Sequence, residues 1–342
     1  MADATGGRTA PGGGRDASCA LVRRRPVHSG PVMLWKTNRR CNLRCDYCFS
    51  SGTDLAVEDP LCGKFSPDHI ARRFDDTGQS WLIILTGGEP FLYPDVLGLC
   101  RELSKNHLLA LNTNLAASRS ERFADEIDPA RVRTINASLH IVELERIGKL
   151  ERFLGRVRFF QDRGFPIGVE YVAYPPLFDR IDRDLGTLEE GGVRVVNMKV
   201  FRGRYGSRTY PAAYSKKEQE YFRLKSYDAT EADFVANRYA FFGKPCGAGC
   251  DVFFMDIGGF VRRCPGSARS YGNLFDGSFS PDRELRPCPF PICFAPWISR
   301  DHAGDRRRGS LSILEEISRE WPPFLADKTR RRLVFRSLRN RL

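Results

Sequence analysis

The chain is 342 residues long, with 42% hydrophobic and 28% charged residues, the balance of a globular protein that can bury a large core without disulfides. Its net charge of +12 is scattered, with short runs at Arg23–Arg25, Arg306–Arg308 and Arg330–Arg332; without zinc-finger spacing or an aromatic RNA-binding signature, solvated surface is the expected role and nucleic acid is not an expected partner. No stretch is long and apolar enough to span a bilayer and the start, MADATGGRTAPGGGRD, lacks a signal-peptide core, so a cytoplasmic location is expected, where eleven cysteines imply metal binding better than disulfides.

Residues 1–30 are rich in Gly, Arg and Pro and are expected to form a disordered tail. Strand-like apolar runs then follow at 31–37, 81–86, 108–113, 134–140, 167–174 and 194–201. Helical patterns lie between them. SPDHIARRF opens with Ser66 at the N-cap and Pro67 at N1. PDVLGLCRELSKN puts Val96, Leu99, Cys100 and Leu103 on one face. LERIGKLERFLGRVRFFQDRG reads as one long helix ended by Gly164. Six βα repeats predict an α/β fold with a parallel sheet, either doubly wound or a partial barrel, over residues 31–240. From residue 241 the pattern changes. Cys, Gly, Pro and Phe crowd the chain as far as Cys293, with short strand-like pieces such as DVFFMDI. A small metal-stapled lobe is expected there, followed by one or two amphipathic helices to residue 342.

Cys41, Cys45 and Cys48 follow the first strand directly, as RRCNLRCDYC. Thiolates suit iron–sulfur clusters or zinc. At this cysteine content the spacing arises by accident in roughly one such chain in ninety. A zinc ion would need a fourth donor, for which Cys62 and His69 are nearest. The second strand ends in Thr86-Gly87-Gly88-Glu89-Pro90, about 40 residues on, one βα unit away. Alone this is an ordinary turn. Behind an apolar strand and a cysteine cluster it becomes a site, with glycines that permit close approach and a carboxylate for an ammonium group.

Together these motifs resemble the radical S-adenosylmethionine (radical SAM) superfamily, whose signature is three cysteines at this spacing with an aromatic residue, here Tyr47, before the third. The resemblance covers about residues 31–205 and implies a partial (β/α)6 TIM-like barrel. It implies that Cys41, Cys45 and Cys48 hold a 4Fe–4S cluster with one open iron. It also implies that Gly87, Gly88 and Glu89 bind S-adenosyl-L-methionine through its amino group. Asn114 and Ser138, at the third and fourth strand ends, match positions where the family often places cofactor contacts; loop capping is the alternative. His140 stands where the family commonly has an acid. Glu170 and Lys199 could point into the barrel or form a salt bridge at its mouth.

The Cys-rich lobe resembles the SPASM and shortened twitch auxiliary-cluster domains, through Cys246, Gly259-x4-Cys264, YGNLFDG and Cys288-x4-Cys293. Five cysteines rather than seven imply one auxiliary 4Fe–4S cluster, held by Cys246, Cys264, Cys288 and Cys293, with Cys250 spare or replacing Cys246. A structural zinc ribbon is the alternative. Cys19 and Cys62 are expected to have no role, and Cys100 to be a core residue. The implied function is hydrogen abstraction from a small molecule, a sugar, nucleoside or aminocyclitol, in dehydrogenation or decarboxylation within antibiotic or other secondary metabolism. An anionic substrate would suit Arg202 and Arg204, and a flavodoxin- or ferredoxin-type donor would supply the electron. The alternatives are a maturase of ribosomally made peptides and a non-catalytic iron–sulfur or zinc-binding interaction protein.

Overall fold

A computed structural model describes residues 28, 30–48, 55–193, 196–225, 242–290 and 293. All of the expected tail but residues 28 and 30, Cys19 included, and the expected C-terminal helices lie outside the described residues.

Six strands follow the chain as predicted: β1 (Val32–Asn38), β2 (Leu82–Gly87), β3 (Leu108–Thr113), β4 (Val132–Leu139), β5 (Ile167–Ala173) and β6 (Val196–Val200). They pair in sequence order, all parallel. The crossovers are α1 (Pro67–Asp75), α2 (Val96–Ser104), α3 (Arg119–Glu126), α4 (Ile141–Arg146), α5 (Leu150–Asp162) and α6 (Ile181–Glu190). Ser66 occupies the N-cap of α1 without a side-chain capping bond, and Pro67 opens the helix.

The long helix predicted across residues 144–164 is two helices. Gly148 takes a left-handed φ of +64°, and the Lys149 amide closes back onto the Leu144 carbonyl at 2.8 Å. That six-to-one closure ends α4 and starts α5 afresh. The apolar period survives the break, which is why the pattern looked continuous.

Alternate strand residues face two different environments. Met33, Trp35, Ile83, Leu85, Leu109, Leu111, Ile135 and Val169 belong to the main core beneath the helices. Val32, Leu34, Ile84 and Ala110 turn the other way, forming a second small apolar cluster with Val252.

The Cys-rich segment continues the barrel sheet. β10 (Val252–Met255) pairs parallel with β1, at Val32–Val252 through Trp35–Met255. β11 (Phe260–Arg262) and β12 (Ser270–Asn273) extend it antiparallel to a nine-stranded sheet. Phe253 packs against Trp81, Tyr271 and Phe279, which docks the segment on the barrel's outer core. A hairpin, β7 (Gly203–Tyr205) with β8 (Arg208–Tyr210), follows β6. Two short strands, β9 (Pro245–Cys246) and β13 (Arg286–Pro287), form a separate ribbon. The carboxyl ends of the parallel strands gather at one rim, where ligands bind in such sheets.

Candidate functional site

The cysteine loop leaves β1 at Asn38 and crosses directly over the end of β2. Gly88 N donates to Asn38 O at 3.1 Å and Glu89 N to Arg40 O at 2.8 Å. Asn38 Nδ2 returns a bond to Glu89 O at 2.8 Å. A Cβ on Gly88 would stand 2.1 Å from Arg40 O, and one on Gly87 2.6 Å from Asn38 O. The glycines are thus required by the cysteine loop's own backbone, a closer constraint than the ligand approach expected from sequence.

Glu89 is fully buried. Its Oε1 accepts from Thr113 Oγ1 at 2.7 Å and Phe91 N at 3.1 Å, and its Oε2 from Asn114 N at 2.7 Å. Burial pushes its pKa up while these donors oppose the rise. The carboxylate expected to face an ammonium group is enclosed by donors from the end of β3 and from the turn after β2.

Asn114 is 4% exposed. Its Nδ2 donates to Asn42 Oδ1 at 2.9 Å and lies 3.7 Å from Cys41 Sγ, while its Oδ1 accepts from Ala116 N at 2.8 Å. It therefore ties β3 to the loop and offers a donor to the Cys41 thiol. On the other side Arg44 N donates to Glu143 Oε1 at 2.9 Å. The Arg146 guanidinium and that amide hold the Glu143 carboxyl below the usual range. Burial and the neighbouring thiols push Cys45 up to about 12, and burial raises Cys41. Both must lose protons to bind metal, so affinity for a cluster depends on pH.

Tyr47 Oη pairs with His140 Nδ1 at 2.9 Å. Tyr47 also packs against Tyr174 and Phe201, with centroids 4.7 and 6.4 Å away, and Tyr174 meets Tyr205 of the β7–β8 hairpin at 5.3 Å. An aromatic wall thus runs from the cysteine loop to the hairpin. Burial pushes His140 down from 6.5 to about 4. Between those values the unfolded chain holds a proton the folded chain lacks, so this group subtracts stability as pH falls through that window. The slope is at most about 1.4 kcal/mol per pH unit. His140→Gln is expected to shrink the fall in melting temperature between pH 7 and pH 5; an identical fall in both proteins would contradict this.

Inside the barrel lies a cavity of about 420 Å³, lined by Leu82, Ile84 and Ala110 together with Asn112, Asn136, Glu170 and Lys199. Asn136 Nδ2 donates to Asn112 Oδ1 at 2.8 Å. Glu170 and Lys199 do point inward, and they also pair with each other, at 3.4 Å. Ser138 stands beside Glu170 in the β4–β5 register. Arg202 lines the cavity, whereas Arg204 is exposed.

The second cysteine set is drawn together from distant positions. β9 and β13 bring Cys246 beside Arg286, two residues before Cys288. Burial, with Cys246 and Cys264 close by, pushes Cys288 up to about 12. Arg263 is 2% exposed, and its guanidinium donates to the carbonyls of Ala248, Arg286 and Pro287. Cys293 is half-buried against the same core. Cys250 turns elsewhere, with Sγ 3.1 Å from Arg283 O. Cys100 is a fully buried core residue and Cys62 Sγ lies 3.6 Å from Thr37 O.

A single zinc ion needs four donors about 2.0–2.3 Å from one point. Among the described residues no three His, Cys, Asp or Glu side chains gather in that way. A four-iron cube takes one thiolate per corner, so its cysteines surround a cluster rather than a single point. The first loop, with Cys41, Cys45 and Cys48 held at the sheet's carboxyl rim, fits a cube with one iron left open.

Sequence reasoning missed Glu143 and Asn136. Asn136 was recoverable from the period-two polar pattern Thr134-Asn136-Ser138. Glu143 was not, because it meets Arg44 across 99 residues.

Residues 35–187 match the radical SAM superfamily. Residues 35–187 therefore form a radical SAM domain; proteins of that superfamily bind a 4Fe–4S cluster and S-adenosylmethionine. It is 30% identical over 154 residues to the pre-heme d1 synthase of Dinoroseobacter shibae, covering 42% of this chain and 36% of that protein. It is 33% identical over 153 residues to the GTP 3',8-cyclase of Nitrobacter hamburgensis, covering 41% and 43%. The chain thus spans about two fifths of the length of these relatives. In fold it is similar to anSMEcpe with bound AdoMet (TM-score 0.52, 16% identity, 74% of this chain and 80% of that one). It is also similar to Streptococcus suis SuiB (TM-score 0.50, 15% identity, 72% and 64%). Among the described residues no helix is long and apolar enough to cross a membrane.

Proposed function

We propose that the protein abstracts a hydrogen atom from a small molecule held in the barrel cavity, using S-adenosylmethionine bound between that cavity and the cysteine loop. The observation that carries this is the loop of Cys41, Cys45 and Cys48 locked onto the Gly87-Gly88-Glu89 strand end, at the carboxyl rim of a barrel whose interior is part amide-lined and part apolar. When bound, the cluster and cofactor supply one-electron reductive cleavage of the sulfonium and a 5′-deoxyadenosyl radical. The chain's residues bind, orient and exclude water. Glu89 holds the amides of Phe91 and Asn114 in place, so that the backbone at Gly87 and Gly88, with Asn114 and Ser138, meets the cofactor. Tyr47, Tyr174 and Phe201 form an apolar wall beside it. Asn112, Asn136, Glu170 and Lys199 orient the substrate by hydrogen bonds and charge, and Arg202 favours an anionic group.

A sugar, nucleoside or aminocyclitol fits a cavity of about 420 Å³, and dehydrogenation or decarboxylation in secondary metabolism is the reaction class. The named substrate of one relative, GTP, is also a small molecule. Cys246, Cys264, Cys288 and Cys293 would hold an auxiliary 4Fe–4S cluster, and a flavodoxin- or ferredoxin-type protein would supply the electron.

The test is anaerobic reconstitution, then dithionite and S-adenosylmethionine, with 5′-deoxyadenosine measured. Formation well above a protein carrying Cys41→Ala, Cys45→Ala and Cys48→Ala is expected. Yields equal to that control would leave the non-catalytic alternative standing. Turnover of a short peptide but of no sugar or nucleoside would favour the maturase.

A further inference from the structure

We infer that Glu143 is a positioning residue for the first cluster, seating the cysteine loop through the Arg44 amide and placing a fixed negative charge beside Cys45 that lowers the cluster's reduction potential. This rests on the proposal that Cys41, Cys45 and Cys48 hold that cluster.

Arg44 lies within the stretch that joins Cys41 to Cys45. A backbone N–H in an irregular loop needs a partner, and Arg44 N finds it in Glu143 Oε1 at 2.9 Å. The donor and acceptor are 99 residues apart, on the cysteine loop and on α4 just past β4. The bond therefore fixes the middle of the loop against the barrel rim, opposite the anchor that Asn114 makes to Asn42.

The ion pair with Arg146 does not by itself account for this carboxylate. Arg146 bonds both oxygens, at 2.7 and 2.9 Å, but its side chain is 62% exposed while that of Glu143 is 9% exposed. A surface pair would leave both partners in water and contribute little. The acid is buried where it accepts from the loop, and its cation is not.

Glu143 acts electrostatically on Cys45 in the direction of a nearby negative charge, and Asp46 adds to it. Arg44 turns its Nη1 onto the carbonyls of Cys41 and Leu43 at 2.7 and 3.0 Å, so its positive charge acts on Cys41 while the negative charge of Glu143 acts on Cys45. A negative charge near a cluster favours its oxidised form, since local charge is one of the levers that set cluster potentials. A lower potential makes the reduced cluster a stronger donor toward a sulfonium.

The experiment compares the reconstituted wild-type protein with Glu143→Gln, Glu143→Ala and Arg146→Gln, by iron content and by redox titration followed by electron paramagnetic resonance. The signal that changes on adding S-adenosylmethionine identifies the first cluster. Glu143→Gln, which keeps an acceptor for the Arg44 amide, is expected to retain iron. Its oxidised-to-reduced ratio at fixed potential should fall about three- to tenfold, where tenfold is about 59 mV for one electron. Arg146→Gln removes the counter-charge and should shift the ratio the opposite way, which a purely structural role would not do. Glu143→Ala should also lose at least half of the first cluster. A wild-type ratio in Glu143→Gln overturns the inference whatever the iron content. No S-adenosylmethionine-sensitive cluster in the wild-type protein would overturn the assignment of the cysteines as well.

Discussion

Gly88→Ala is expected to yield a folded protein that has lost the first cluster and with it 5′-deoxyadenosine formation. The added methyl would sit 2.1 Å from Arg40 O and 2.4 Å from Arg39 O. Both obstacles are backbone atoms, so no side chain can swing aside. Relief requires the cysteine loop to lift, breaking the bonds from Gly88 N to Asn38 O and from Glu89 N to Arg40 O. Overpacking of this kind costs about 1–3 kcal/mol, which a barrel of this size survives. The cluster does not, because Cys41 follows Arg40 immediately and its thiol moves with the loop. Gly78→Ala is the control. Its φ of +66° strains an alanine, but nothing lies within 4 Å of the new methyl, so it should lower the melting temperature slightly and leave iron unchanged. Full iron in Gly88→Ala, with normal 5′-deoxyadenosine formation, would show that the loop does not depend on this contact.

Cys288→Ala and Cys246→Ala are expected to remove about four of about eight irons per chain while sparing the first cluster. 5′-Deoxyadenosine should still form in both, uncoupled from product. Cys246 and Cys288 lie in or beside the paired strands β9 and β13, with Cys264 near Cys288. Cys250→Ala should keep its iron, since that thiol bonds the Arg283 carbonyl instead. Loss of iron from Cys250→Ala, with retention in Cys246→Ala, would exchange their roles. Iron unchanged in all of these variants, with zinc present, would favour a zinc ribbon in this segment.

The barrel was legible because its strands are short apolar runs whose environment is set locally. WLIILT and LLALNT are apolar enough to be buried on both faces, and the turn residues between repeats mark their ends. The cysteine spacing and the Gly-Gly-Glu turn were legible for the same reason, as each occupies a few consecutive residues. The single helix read across Gly148 shows where this fails. Hydrophobic period does not report the backbone angle of one glycine, and a left-handed residue ends a helix without disturbing the apolar stripe.

Residue types at consecutive positions therefore specified the strands, the cysteine loop and the turn that faces it. Tertiary structure alone decided what those residues do for one another. It made the glycines a bed for the cysteine loop and turned Glu89 inward to hold two backbone amides. It brought Glu143 to Arg44 across 99 residues, and joined the Cys-rich segment to the barrel through β10 and β1. The physical reason is that hydrogen bonds and close packing act over about 3–4 Å in space, and sequence shows such neighbours only when they are also neighbours along the chain.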